Sequence, residues 1–169
     1  MPHIVFVPFI GFRVREDEMR ELGMSLPGFK QRAAAIAELP ALGLLTLAGM
    51  LPESWTCRYH GAPSANEGVI EQILAEQPDL VAVSALTASI EEAYRFCQRV
   101  REAGVPVAMG GLHATVCAEE ASSYCDAVVM GEGEAVWREL LADAALGPLR
   151  PIYLAGRGQA DPALAIAPV

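Results

Sequence analysis

The chain has 169 residues, the size of one ordinary domain, and its 53% hydrophobic content is enough to build a core. Twelve Lys+Arg stand against 21 Asp+Glu, a net charge of -9, which argues against nucleic acid and anionic membrane as partners, because both are bound through basic surface. The opening MPHIVFVPFI carries no basic leader before a long apolar run, and Arg13, Arg15, Glu16 and Asp17 soon follow; neither a secretory signal nor a spanning helix is expected, and the protein is expected in the cytoplasm.

Along the chain, strand-length apolar runs alternate with helical periodicity. Residues 3–8 (HIVFVP) predict a first strand, and after a long connection residues 41–50 predict a helix. Residues 55–60 predict strand two, residues 67–76 a helix with Val69, Ile70, Ile73 and Leu74 on one face, and residues 80–84 strand three. Ser89 is placed to cap a helix over 90–103, with Glu91 and Glu92 at its positive end and Gly104 as its stop. Strand four is expected over 105–109, a short helix near 119–124, strand five over 127–130 and a last helix over 134–144. Strands three to five are continuously apolar, so both faces should be covered. The fold class that follows is α/β, a flavodoxin-like (Rossmann-like) doubly wound parallel sheet of about five strands.

Two segments break this rhythm. Residues 11–39 insert a charged stretch between strand one and its helix, long for such a connection, and are read either as a lid or as a solvated surface helix. From Gly147 the chain turns Pro-, Gly- and Ala-rich, with 151–154 as one further short strand and 156–169 resembling a linker. Cys57, Cys97, Cys117 and Cys125 match neither paired metal knuckles nor a cluster motif and are expected to be reduced and mostly buried.

In an open α/β sheet, ligands bind at the carboxyl ends of the strands. Strand three ends there in Ser84-Ala85-Leu86-Thr87, whose two hydroxyls serve a helix cap or a ligand. Strand four opens into Gly110-Gly111-Leu112-His113-Ala114-Thr115, where glycines permit either a tight turn or close approach of a ligand to the backbone. Strand five opens into Gly131-Glu132-Gly133-Glu134. Glu134 falls in a first helical turn, which favours a carboxylate, while Glu132 suits an amide-fringed ligand or a paired acid and base. Neither G-x-x-x-x-G-K-S/T nor G-x-G-x-x-G is present, which disfavours a nucleoside triphosphate.

Ser84-x-Leu86 followed by Gly110-Gly111 resembles two parts of the cobalamin-binding signature of corrinoid enzymes. More closely, Leu42-Gly43-Leu44-Leu45-x-Leu47-Ala48, Gly110-Gly111-x-His113-Ala114-Thr115 and Gly131-Glu132-Gly133-Glu134 together resemble the amino-terminal B12-binding domain of B12-dependent radical SAM proteins, over roughly residues 1–155. Those proteins include methyltransferases and the anaerobic ring cyclase of chlorophyll synthesis. The resemblance implies cobalamin as cofactor. It places Ser84, Leu86 and Thr87 along the pocket for the nucleotide tail, has Gly110 and Gly111 admit that tail with His113, Ala114 and Thr115 beside it, has Glu132 and Glu134, between Gly131 and Gly133, receive corrin amides, and sets Pro8 and Phe9 in the floor beneath the ring.

The departures are as informative. The D-x-H-x-x-G loop that supplies a cobalt ligand reads Pro8-Phe9-Ile10-Gly11-Phe12-Arg13 here, His60 falls in another loop, and His3 opens a strand. The resemblance therefore implies cobalamin bound with its tail displaced and no protein ligand on cobalt. No C-x3-C-x2-C is present to hold a [4Fe-4S] cluster and S-adenosylmethionine, so a radical SAM barrel is expected as a partner, in cis or in trans. Two other readings stand beside this one: a degenerate relative acting as a protein or substrate interaction module, and a flavodoxin-like enzyme using Glu132, Glu134 and His113 as acid and base.

Overall fold

Short runs of Val, Ile, Ala and Phe that cannot find partners within a hairpin pair across long connections instead, and a parallel sheet results. In the computed structural model, which describes residues 1–9, 40–61 and 65–156, β1 (His3–Phe9), β2 (Thr56–Tyr59), β3 (Leu80–Ala85), β4 (Val107–Gly110), β5 (Ala127–Met130) and β6 (Ile152–Leu154) form one sheet. Its order is β2-β1-β3-β4-β5-β6 and every pairing is parallel. This is the flavodoxin-like order with one strand added, since the short apolar run after Pro151 pairs with β5.

Among the described residues six α-helices accompany these strands: α1 (Leu42–Gly49), α2 (Glu67–Ala75), α3 (Ile90–Glu102), α4 (Leu112–Val116), α5 (Ala118–Ala121) and α6 (Trp137–Leu146). Asn66 starts α2, its side chain accepting from the Val69 amide at 2.9 Å. The expected Ser89 cap is absent. Thr87–Ser89 instead forms a 3-10 turn that feeds α3, and the Ser89 side chain makes no capping bond. Gly104 does end α3, in the left-handed region at φ 82°. The helix expected near 119–124 is α5, which starts and ends earlier; α4 before it was not expected, and the helix expected from Glu134 begins as a 3-10 turn, Gly133–Ala135, before α6.

Two cores lie on opposite faces of the sheet. On one, Val5, Val7, Val81, Val83, Val107, Met109 and Val128 pack against Ile70 and Ile73 of α2, Phe96 and Val100 of α3, and Ala114 and Ala121 of α4 and α5. On the other, Ile4, Phe6, Leu80, Ala82, Ala108, Ala127 and Val129 meet Leu44 of α1 and Trp137, Leu140 and Leu141 of α6. Side chains alternate along each strand, so β1, β3, β4 and β5 each feed both cores.

Pro8 lies where the pairing of β1 with β2 ends. The His60 amide donates to the Phe6 carbonyl, so even-numbered residues of β1 face β2, and the β2 pairing stops at Phe6. The Pro8 nitrogen faces β2 and has no hydrogen to donate, so the ladder ends there. Cys97 and Cys125 are buried, Cys117 is half-buried and Cys57 is exposed; all four are free thiols. Residues 11–39 and 157–169 lie outside the described residues, so the expected lid and most of the expected linker do too. Among the described residues no helix is long and apolar enough to cross a membrane.

Candidate functional site

The two faces of β3 and β4 differ in side-chain size. Toward α2 and α3 they present Val81, Val83, Val107 and Met109; toward α1 and α6 they present Ala82, Ser84, Ala108 and Gly110. The missing volume leaves a cavity of about 190 Å³ between sheet and helices at the carboxyl ends of β3, β4 and β5. Gly43, Leu44 and Leu47 of α1 close one side, Ala82, Ser84, Ala108, Gly110 and Val129 form the floor, and Trp137 closes the far wall. Gly131, Glu132, Gly133 and Glu134 line the rim. None of the histidines, lysines or arginines among the described residues lines it. The chamber is apolar, with Ser84, Trp137, two carboxylates and main-chain groups as its polar atoms.

The adjacent glycines have different reasons to be there. Gly111 sits at φ 98°, and a Cβ on it would meet the Ala85 carbonyl oxygen at 2.8 Å and the Ser84 Oγ at 2.9 Å. The chain itself demands a glycine at that position, whatever binds. Gly110 has ordinary strand geometry, and a Cβ there would touch only Val129, at 3.6 Å. Its bare backbone opens onto the cavity floor, so Gly110 is the glycine whose missing side chain leaves room for a ligand.

Thr115 ties the two glycine loops together. Its hydroxyl donates to the Gly111 carbonyl at 3.0 Å and accepts from the Gly131 amide at 3.1 Å. Gly131 itself adopts φ 86° to make this turn. The order of the rim thus depends on Thr115, which does not itself line the cavity.

Of the residues singled out in the sequence, Ser84, Gly110, Gly111, Gly131, Glu132, Gly133 and Glu134 come together around this chamber, whereas Pro8, Phe9, Leu86, Thr87, His113, Ala114 and Thr115 do not line it. Phe9 is buried in the opposite core, 5.4 Å from the Phe96 ring. Leu86 and Thr87 lie exposed at the edge. His113 packs toward Tyr94 on the α3 side, with Nδ1 3.2 Å from the Thr87 hydroxyl. His113 is therefore not brought together with Glu132 and Glu134, as an acid and base set would require. His60 bonds Glu76 at 3.0 Å and His3 bonds Thr56 at 2.9 Å, both structural contacts.

Sequence reasoning missed Trp137, Leu47, Ala82 and Ala108. Trp137 is 2% exposed, it lines the chamber, and its indole N–H has no acceptor among the described residues. A buried donor left this way is costly unless something accepts from it. The available signal was the alternation of large and small residues along LVAVSA and VAMG, which a reading for apolar continuity alone passes over.

Parts of the chain are similar to known proteins. Over 77 residues the chain is 39% identical to a bacteriochlorophyllide d C-12(1)-methyltransferase of Chlorobaculum tepidum, covering 46% of this chain and 17% of that protein. It is 35% identical over 75 residues to a bacteriochlorophyllide d C-8(2)-methyltransferase of the same organism, covering 44% and 17%. With the anaerobic magnesium-protoporphyrin IX monomethyl ester cyclase of Cereibacter sphaeroides it shares 33% identity over 122 residues, covering 65% and 20%. The matches span about a fifth or less of the length of these relatives. Residues 32–141, which hold the chamber's helix, floor, rim and far wall, match the B12 binding domain family, and the chain belongs to it.

Proposed function

We propose that this domain holds cobalamin with its nucleotide tail displaced into the chamber and with no protein ligand on cobalt, on behalf of a radical SAM methyltransferase or cyclase. The single observation that carries the reading is the apolar slot hollowed beside Gly110 and closed by Trp137. An apolar cavity on the order of 150 Å³ holds one benzene ring, so about 190 Å³ suits a flat aromatic base and leaves the corrin ring outside, over the strand ends.

Each lining group then has a task. Ala82, Ala108 and Gly110 leave the slot open, Leu44 and Leu47 cover the base from α1, and the Ser84 hydroxyl and Trp137 indole meet polar atoms of the tail. Glu132 and Glu134 at the rim accept from corrin amide N–H groups. That all three histidines lie away from the chamber, two of them engaged by Thr56 and Glu76, supports a cobalt without an imidazole from this chain. When bound, cobalamin supplies a cobalt centre for methyl transfer or one-electron chemistry. The [4Fe-4S] cluster and S-adenosylmethionine belong to a radical SAM barrel in cis or in trans, because the four cysteines here have no cluster spacing.

The test is a spectroscopic titration of the folded chain with hydroxocobalamin, repeated with the barrel present. Binding with a displaced-tail visible spectrum is expected, unchanged by His60→Ala. Gly110→Leu should fold, since an added Cβ meets only an ordinary contact with Val129, and should lose binding. Trp137→Phe should weaken binding by about 0.5–1.5 kcal/mol for one lost hydrogen bond. Full binding by Gly110→Leu would remove the tail from the slot. Failure to bind with and without the barrel would leave the domain as an interaction module.

A further inference from the structure

On the far side of the sheet from the chamber, three metal-ligating side chains converge. His113, Cys117 and Glu120 occupy successive turns of the α4–α5 segment, and their donor atoms all lie within 4.8 Å of one another. Cys117 is the joint between the two short helices. Its amide donates to the His113 carbonyl at 2.8 Å and its carbonyl accepts from the Ala121 amide at 3.0 Å, so the backbone holds the thiol in place.

The histidine is the second, independent sign. Its side chain is 8% exposed, and its Nε2 has no hydrogen-bond partner among the described residues. The other ring nitrogen, Nδ1, lies 3.2 Å from the Thr87 hydroxyl. Donation from Nδ1–H to that hydroxyl leaves an Nε2 lone pair aimed at a thiol and a carboxylate. Glu120 Oε1 lies 3.6 Å from Nε2 and as a carboxylate only accepts. Three electron-pair donors thus face one another. A hydrogen bond from the remote ring nitrogen is the usual way a metal-bound imidazole is oriented.

We infer that His113 Nε2, Cys117 Sγ and Glu120 form a site for one borderline transition-metal dication, zinc by its mixed nitrogen, sulfur and oxygen donors. A thiolate and a carboxylate balance the dication's charge, and a fourth tetrahedral position is left for water. Tetrahedral ligands at zinc bond lengths stand about 3.3–3.8 Å apart. His113 and Glu120 already meet this, Cys117 lies within 4.8 Å of both, and the Glu120 side chain, 53% exposed, has room to swing. The ion would pin α4 against α5. The segment it pins also carries Thr115, the clamp between the two glycine loops, so occupancy here would stiffen the rim of the chamber from outside.

The test uses the full chain without affinity histidines, reduced and stripped with a chelator, then titrated with Co(II) and with Zn(II). One equivalent of Co(II) should bind with a thiolate-to-cobalt charge-transfer band and d–d bands of tetrahedral intensity, and Zn(II) should displace it. Zn(II) in excess should raise Tm by a few degrees. Cys117→Ser, at a half-buried position, should fold, abolish the charge-transfer band and lose the Zn(II) shift, while Cys57→Ser should keep both. Thr87→Val should weaken Zn(II) binding about 10–100-fold, with Thr87→Ser restoring it. A thiolate band that persists in Cys117→Ser, or no band in the folded wild-type chain, would overturn the site.

Discussion

The two faces of the sheet are built from the same strands, yet one is filled and the other hollow. Toward α2 and α3, Val81, Val83, Val107, Met109 and Val128 leave no slot, and each is at most 1% exposed. Toward α1 and α6, the same strands offer Ala82, Ser84, Ala108 and Gly110 above a cavity. Because strand residues alternate in direction, a protein can assign stability to one face and a ligand to the other without changing its fold. The filled face supplies close packing; the hollow one gives some of it up.

The sharpest way to break this comparison is at Gly111, which lies just past the end of β4 at the cavity. Gly111→Leu places a side chain at φ 98° and drives its Cβ against the Ala85 carbonyl. Left-handed strain of about 1–3 kcal/mol adds to that backbone collision, and a total loss of about 3 kcal/mol or more is expected in urea unfolding. A variant as stable as wild type would show that the glycine is kept for a ligand rather than for the chain.

The next test compares the faces directly. Met109→Ala on the filled face should cost about 2–5 kcal/mol, the range for emptying a packed site of its side chain. Its neighbour Ala108→Val points into the chamber and should leave stability within about 1 kcal/mol while weakening cobalamin binding at least tenfold. Equal losses of stability from the two variants would erase the distinction. A normal cobalamin titration with Ala108→Val would detach the chamber from the cofactor.

Much of this was legible in the chain. Periodicity placed five strands and the main helices, and the glycine motif from Gly131 to Glu134 falls at the rim of the cavity. What escaped were effects of tertiary contact. Ser89 has a capping hydroxyl, but the backbone reaches α3 through a 3-10 turn that leaves it unused. His113 and Thr115 follow Gly111 by two and four residues, and the sequence grouped them with the ligand loop. The helical turn of α4 instead carries His113 into the opposite core and aims Thr115 at the Gly131 amide. Trp137 was invisible as a site residue because its meaning lies in an indole nitrogen that finds no acceptor.

The smallest expected effect concerns the edge of the sheet beside the chamber, where β6 is latched to α6. Asp143 accepts from the Tyr153 hydroxyl at 2.7 Å and from Arg150 Nε at 2.8 Å, and the Arg150 guanidinium stacks 4.5 Å over the Tyr153 ring. The bond from Tyr153, followed by that from Arg150, holds the Asp143 carboxyl below its ordinary range. A carboxyl lowered in the folded state contributes stability that is fully present above its unfolded pKa, about 3.9, and is lost as pH falls through the folded value. Asp143→Asn should therefore be slightly less stable than wild type at pH 6, and the gap should close in acid, below about pH 4. Hydrogen exchange at the Tyr153 and Ala155 amides should show the same convergence. If the gap stays constant from pH 6 into acid, the latch works by packing of Arg150 on Tyr153 and not by the charge of Asp143.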